Sequence, residues 1–313
     1  MAFQQVGILG LGLIGTSVGL ALKRGPDAPR IIGFDVAAEQ LHQAARQGAI
    51  DRSSVALGEL CRESDVVVLA APVGAILRLL PEVAAHLGPG TVVTDTGGTK
   101  AEIVRAADRA LGSVNSFVGG HPLAGRLTAG VDQASASMFQ GAVYCLTPSA
   151  AAAPSAVKTA VELVERLGAQ PFFLDPEEHD ALLAAVSHLP YFASVALVNA
   201  VTSQSAWSEM AGMAAGGFRA ASSLVDGNSS VWVDVAATNR QNVVRQLDAL
   251  IERLTGLSRM IAAGDDGLLA ELQRAHSARQ EWLAARGQAS PSEGPVPSPP
   301  ARSFGWMDRL RGR

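Results

Sequence analysis

The chain has 313 residues, 48% of them hydrophobic, 17% charged and 5% aromatic, with a formal net charge of −4 and an isoelectric point near 5.9. That length suits two domains of ordinary size, and so apolar a chain has ample material for a buried core. The slight acidic excess lacks the basic footprint of a nucleic-acid binder, so an anionic ligand would have to be held by a few local cationic groups.

Residues 4–9 read as a short buried strand, followed by a Gly-rich turn and a helical stretch over 13–23. Residues 30–35 read as a second strand ending in an acid, and 37–47 as a helix. Residues 65–70 are apolar and β-branched throughout, the pattern of a strand covered on both faces, and Pro72 ends it. A helix over 73–86 leads through Gly88-Pro89-Gly90 to a fourth strand at 91–95, a helix at 100–110 and a fifth strand at 116–120. Two further strands, 143–146 and 170–174, flank a helix at 155–167. Strands alternating with helices imply crossover connections, hence a doubly wound, mainly parallel sheet with helices on both faces. After Asp175 the strand signal fades, and 177–286 read as successive apolar helices whose character also suits a buried dimer interface.

The expected organisation is a doubly wound α/β domain over 1–174, an all-α domain over 175–286, and a disordered Pro/Ser-rich tail over 287–313. The N-terminal residues show no basic stretch of a signal peptide, and no apolar run reaches ~18–20 residues without Gly, charge or turn signals, so no membrane span is expected. Cys61 and Cys145 lie far apart without metal-ligand spacing and read as reduced thiols of a cytoplasmic protein; no metal site is expected.

Gly10-Leu11-Gly12-Leu13-Ile14-Gly15 is a G-x-G-x-x-G segment between the first strand and the first helix, and Asp35 ends the next strand. In that context the segment is the fingerprint of a Rossmann domain. Gly10 permits the tight turn, Gly12 leaves room for a pyrophosphate, Gly15 lets helix and sheet approach, and the helix start at Leu13 and Ile14 favours phosphate charge. Asp35 can accept hydrogen bonds from both ribose hydroxyls and would repel a 2′-phosphate, while Val36-Ala37-Ala38 offer no arginine, which points to NAD over NADP.

Gly119-Gly120-His121-Pro122-Leu123-Ala124-Gly125 follows the fifth strand, so His121 is expected in a loop beyond its carboxyl end, where open sheets place ligands. A neutral imidazole there suits removal of a proton from a substrate hydroxyl. His42, His86, His179 and His276 have no such context and read as surface residues.

With Ser187-His188-Leu189-Pro190 and Gly216-Gly217-Phe218-Arg219 downstream, and Asp95-Thr96-Gly97-Gly98-Thr99-Lys100 between, the chain resembles the prephenate/arogenate dehydrogenases of tyrosine biosynthesis over roughly residues 5–285. The resemblance implies oxidative decarboxylation of prephenate to 4-hydroxyphenylpyruvate, or of arogenate to tyrosine, with His121 as the base and a homodimer built through the helical domain. It also marks departures. The family serine that helps hold the substrate hydroxyl falls at Gly98, leaving Thr96 or Thr99 to supply one; a second histidine falls at Tyr191; and the substrate-binding arginine falls at Ser223. The substrate-binding set implied is therefore Thr96, Thr99, His188, Tyr191 and Arg219, with Arg240, Arg126 and Lys100 as further cations. The readings left beside it are another NAD-dependent hydroxyacid dehydrogenase, whose usual second-domain lysine is missing after Lys158, and an NAD-binding sensor without turnover.

Overall fold

The computed structural model describes residues 3–25, 27–112, 116–124 and 130–285. The expected tail at 287–313 and the candidate Arg126 lie outside them. Contacts divide the chain into two compact units: the described residues up to Asp180 together with Gly227–Thr238, and Ala181–Asp226 together with the described residues from Asn239 onward.

The first unit is built on strands β1 (Gln5–Leu9), β2 (Arg30–Phe34), β3 (Arg52–Ser53), β4 (Val66–Leu69), β5 (Val92–Asp95), β6 (Phe117–Pro122), β7 (Val143–Pro148) and β8 (Gln170–Phe173). They form one sheet in the order β3-β2-β1-β4-β5-β6-β7-β8. Every neighbouring pair is parallel except β6 with β7. Helices α1 (Leu13–Leu22), α2 (Ala38–Arg46), α3 (Leu57–Glu63), α4 (Val73–His86), α5 (Ala101–Leu111) and α6 (Pro154–Arg166) connect them. The strand order reverses on either side of β1, so the crevice at its carboxyl end is the switch point at which such sheets bind ligands.

β4 shows why the sequence takes this form. Val66 and Val68 enter the apolar cluster that includes Val18 of α1 and Leu163 of α6, while Val67 and Leu69 enter the one that includes Ile76 of α4 and Val104 of α5. Successive side chains of a strand point to opposite faces, so a strand covered on both sides must be apolar at every position. The doubly wound α/β architecture expected from the sequence is the one present.

Two details differ from expectation. The segment holding β3 and α3 carried no predicted element; β3 is a two-residue, exposed edge strand, too short for an alternating pattern to register. β6 also continues two residues past Gly120, because β7 pairs antiparallel with it and places His121 opposite Cys145 and Pro122 opposite Tyr144. His121 is therefore a strand residue at the carboxyl end of β6, not a loop residue.

Helix α7 (Pro176–Leu183) runs on through a π-helical turn, Ala184–His188, into α8 (Leu189–Thr202), and the boundary between the units falls inside α7, after Asp180. This continuous run, Pro176–Thr202, is 27 residues long with mean hydropathy 1.8 over its most apolar window, enough in length and composition to cross a bilayer. This differs from the expectation of no such run: residues 181–202 carry no Gly and no Asp, Glu, Lys or Arg, and Pro190, the turn signal within them, sits inside the helix without ending it. His179, Asp180 and His188 within the run are buried, and 28% of its most apolar window is buried overall.

The helices that follow are α9 (Trp207–Met210), α10 (Gly216–Ser222), α11 (Ser229–Thr238), α12 (Arg240–Ala263) and α13 (Leu268–Ala285). α11 belongs to the first unit, where the Asp234 carboxylate accepts the Gly74 N–H at the start of α4 at 2.8 Å. Within the second unit, the Ser194 hydroxyl of α8 donates to the Ala221 carbonyl of α10 at 2.7 Å.

Candidate active site

The turn after β1 is shaped by what its glycines lack. Gly10 has φ +95°, and a Cβ on it would lie 2.3 Å from the Ala70 carbonyl oxygen. A Cβ on Gly15 would lie 1.9 Å from the Gly10 carbonyl oxygen, so α1 can start against the turn only with glycine there. A Cβ on Gly12 would meet nothing within 4 Å. Gly12 thus borders open space, beside a helix start at Leu13 and Ile14 that no side chain caps. First-turn N–H groups in such a position suit a phosphate.

Asp35 sits just past β2, half-buried. One carboxylate oxygen accepts the Leu11 N–H at 2.7 Å and the other the Ala37 N–H at 2.8 Å. Those two bonds fix the carboxylate beside the glycine turn, and each oxygen keeps a lone pair for a hydroxyl. An open cradle for a pyrophosphate and a fixed acceptor for a ribose diol fit a dinucleotide.

The carboxyl ends of β5 and β6 are joined by a buried polar cluster. The Asp95 carboxylate accepts the Gly97 N–H at 2.8 Å and the Gly120 N–H at 3.0 Å, and it pairs with the Lys100 ammonium. Lys100 Nζ also donates to the Gly120 carbonyl at 2.7 Å. Burial pushes the Lys100 ammonium below its ordinary value, and the Asp95 carboxylate beside it opposes that shift. Lys100 is wholly enclosed and fully engaged, so it is a structural cation and not a substrate ligand.

Next to Gly120, His121 is half-buried, with Nδ1 2.9 Å from His179 Nε2. His179 Nδ1 in turn lies 2.9 Å from Asp180 Oδ1. The Asp180 carboxylate accepts the backbone N–H groups of Lys100 at 2.7 Å and Ala101 at 3.0 Å, where α5 begins. His179 is completely buried, which overturns its expected place on the surface. Burial is the main influence lowering its pKa, with the hydrogen bond to Asp180 acting the other way. The available signal was a His-Asp pair opening an apolar helix, but its partner His121 lies 58 residues earlier, beyond the reach of spacing rules.

The candidate substrate residues divide. Thr96 is half-buried just after β5, near Gly97 and Gly98. Thr99 is buried, and its hydroxyl lies 2.8 Å from the Thr238 hydroxyl. Thr238 donates to the Asp234 carbonyl, so Thr99 donates to Thr238. In the second unit, His188 is buried at the end of the π-helical turn with Nδ1 3.2 Å from the Asn239 amide nitrogen, and Tyr191 is buried in the first turn of α8. Arg219 on α10 and Arg240 at the start of α12 are exposed, and the Ser223 hydroxyl donates to the Ala220 carbonyl at 3.0 Å. Among the described residues, no group of three or more His, Cys, Asp or Glu side chains is placed to hold a metal ion.

Family models for the "Prephenate dehydrogenase, nucleotide-binding domain" and the "Prephenate dehydrogenase, dimerization domain" match residues 18–172 and 175–274. The prephenate dehydrogenase of Bacillus subtilis is 34% identical over 79% of this chain and 67% of its own length. The cyclohexadienyl dehydrogenase of Zymomonas mobilis is 29% identical over 88% of this chain and 95% of its own. A solved structure of prephenate dehydrogenase from Aquifex aeolicus, in complex with hydroxyphenyl propionate and NAD+, superposes with a TM-score of 0.83 at 27% identity, covering 89% of this chain and 98% of that one. An arogenate dehydrogenase from Synechocystis superposes with a TM-score of 0.75 at 28% identity, covering 89% of this chain and 99% of that one.

Gly12 and Gly15 separate ligand space from packing space. Gly12→Ala is expected to melt within about 2 °C of the parent, a change below ~1 kcal/mol, while its affinity for NAD falls at least about tenfold. Gly15→Ala is expected to lose roughly 1–3 kcal/mol of stability through overpacking. Thermal melting and an NAD titration check both, and undiminished affinity in Gly12→Ala would remove the turn from the cofactor site.

Proposed function

The chain belongs to the prephenate dehydrogenase family, and from that premise we propose that His121 is the base in an NAD-dependent oxidative decarboxylation of prephenate, or of its amino counterpart arogenate, in tyrosine biosynthesis. The observation that carries this reading is the placement of His121. It is the penultimate residue of β6, in the same sheet whose carboxyl edge holds the Gly10–Gly15 turn and Asp35, and its ring is anchored through Nδ1.

NAD, when bound, supplies the acceptor for the hydride that leaves the ring carbinol of the substrate. The chain's own task is to hold the reactants and take a proton. In the turn that Gly10 and Gly15 shape by close packing, the open space at Gly12 and the helix start at Leu13 and Ile14 would hold the pyrophosphate, and Asp35 would hold the ribose diol. His121 accepts the hydroxyl proton as the carbinol becomes carbonyl-like. Loss of the ring carboxylate as CO2 then yields an aromatic ring, which drives the step forward.

We assign substrate binding to Thr96, Thr99, His188, Tyr191 and Arg219. Thr99 acts by fixing the Thr96–Lys100 turn against Thr238, and Thr96 is the hydroxyl of that turn offered to substrate. Arg219 is the cation we assign to a substrate carboxylate, since burying that charge without a partner is costly. In this reading residues 1–174 form the NAD-binding domain and 175–286 the substrate and dimerisation domain of a cytoplasmic enzyme.

The second unit leaves large apolar side chains exposed, among them Val186 at 73% and Ile261 at 64%. Together with the match to a dimerization domain, they support a homodimer. Sedimentation of the full chain at micromolar concentration is expected to give twice the monomer mass; a monomer there would refute the dimer.

Purified protein with NAD is expected to form NADH on addition of prephenate or arogenate, and His121→Asn to lower kcat by about 10²–10⁴ with NAD affinity retained. No turnover by the parent chain with either compound would refute the dehydrogenase reading. Gly98 offers a second test. A Cβ there meets nothing nearer than Val235 Cγ2 at 4.0 Å, so a serine fits. If the family serine binds the substrate hydroxyl, Gly98→Ser adds one hydrogen bond worth ~0.5–1.5 kcal/mol and raises kcat/KM by about 2- to 12-fold; an unchanged or lower value refutes that role for the position.

A further inference from the structure

We infer that His179 and Asp180 form a positioning relay that sets the tautomer of His121, holding its proton on Nδ1 and its basic lone pair on Nε2. The inference rests on the reading of His121 as the base.

The direction of each hydrogen bond follows from its anchored end. The Asp180 carboxylate already accepts two backbone N–H groups, from Lys100 and Ala101. A carboxylate has only acceptors to offer, so the proton of the His179–Asp180 contact sits on His179 Nδ1. Neutral His179 then carries its lone pair on Nε2 and must accept. The proton of the 2.9 Å contact therefore sits on His121 Nδ1, and Nε2 of His121 is left basic.

The alternative polarity needs an imidazolium at His179. Its surroundings oppose that. His179 is fully enclosed, and its pKa is lowered first by burial and further by the Lys100 ammonium. The charged and titratable groups facing it are Asp180 from α7, Lys100 from the turn before α5, Asp95 from β5 and His121 from β6. Cys145, opposite His121 on β7, stays a neutral thiol because burial pushes its pKa up to about 12. The negative partner of His179 is thus Asp180, with Asp95 paired to Lys100.

The arrangement has two consequences for the step. His121 arrives with the correct nitrogen unprotonated, so no fraction of the protein waits in the wrong tautomer. Once His121 Nε2 takes the substrate proton, the imidazolium keeps donating through Nδ1 to His179, whose own N–H is aligned on Asp180. His179 remains neutral throughout, so the relay orients and polarises; it does not carry the proton away.

Nitrogen-15 NMR of the resting protein, with His121 assigned by comparison with His121→Asn, reads the tautomer without any turnover. A protonated Nδ1 on His121 is expected; a protonated Nε2 would overturn the relay. His179→Leu and His179→Gln supply the kinetic test. Leucine removes the acceptor, and kcat is expected to fall about 10- to 100-fold with little change in the KM for substrate. The acidic limb of the kcat–pH profile should move to lower pH, because the His121 imidazolium loses its acceptor. Glutamine can accept from His121 Nδ1 through its side-chain oxygen and is expected to recover most of the rate. Should leucine fail to fold, the glutamine variant and the parent spectrum decide. Equal kcat and an unmoved acidic limb in His179→Leu would overturn the inference. Failure of the parent chain to turn over would instead strike at the dehydrogenase reading, and the tautomer spectrum would still stand on its own.

Discussion

A fully buried ion pair between Lys100 and Asp95 holds the catalytic edge of the sheet together. Enclosing two opposite charges is costly, and such a pair survives only when the remaining donors and acceptors are satisfied. Here they are: Asp95 also takes the N–H groups of Gly97 and Gly120, and Lys100 also reaches the Gly120 carbonyl. Loss of either partner would strand the other charge, at about 3–5 kcal/mol. The pair therefore fixes the ends of β5 and β6 relative to each other, and His121 is the next residue along β6. The backbone N–H of Lys100 meets Asp180, so the same residue that joins the strands also anchors the relay behind His121.

The remainder of the first unit is a division between apolar layers and a polar rim. Strands such as β4 bury every side chain and leave no functional group within the sheet. Chemistry is thereby confined to residues at the carboxyl ends, where the chain leaves the sheet and backbone donors come free. The glycine turn after β1, Asp35 after β2, Thr96 after β5 and His121 at the end of β6 all occupy that rim. The turn works through absence: space at Gly12 admits a ligand, and close contact at Gly15 admits the helix.

Low dielectric surroundings also sort the ionisable groups behind His121. Burial keeps the Cys145 thiol and the Tyr144 phenol protonated, so neither competes as a base or adds charge. His179 is kept neutral, and the Lys100 ammonium is balanced by Asp95. His121 itself is half-buried, and its Nδ1 faces the acceptor-bearing imidazole of His179.

The sequence by itself determined the features that depend on residues close together in the chain. Gly10 to Gly15 with Asp35 specified a tight turn into a helix with an acid after the next strand, the all-apolar run at 65–70 specified a doubly covered strand, and Gly119-Gly120-His121 marked a histidine at the carboxyl end of a strand. Each is a local pattern, because strand pleat, helix period and turn geometry repeat within a few residues. Tertiary structure alone decided what stands behind those residues. His179 meets His121 from 58 positions away, Asp180 meets Lys100 from 80, and Asp234 returns to the start of α4 from 160. It also turned Lys100 from a candidate substrate cation into a buried strut, and drew His121 into β6 through pairing with β7. No spacing rule reaches so far: burial and pairing partners are properties of the packed fold, and a histidine in a helix looks the same in sequence whether it faces water or another histidine.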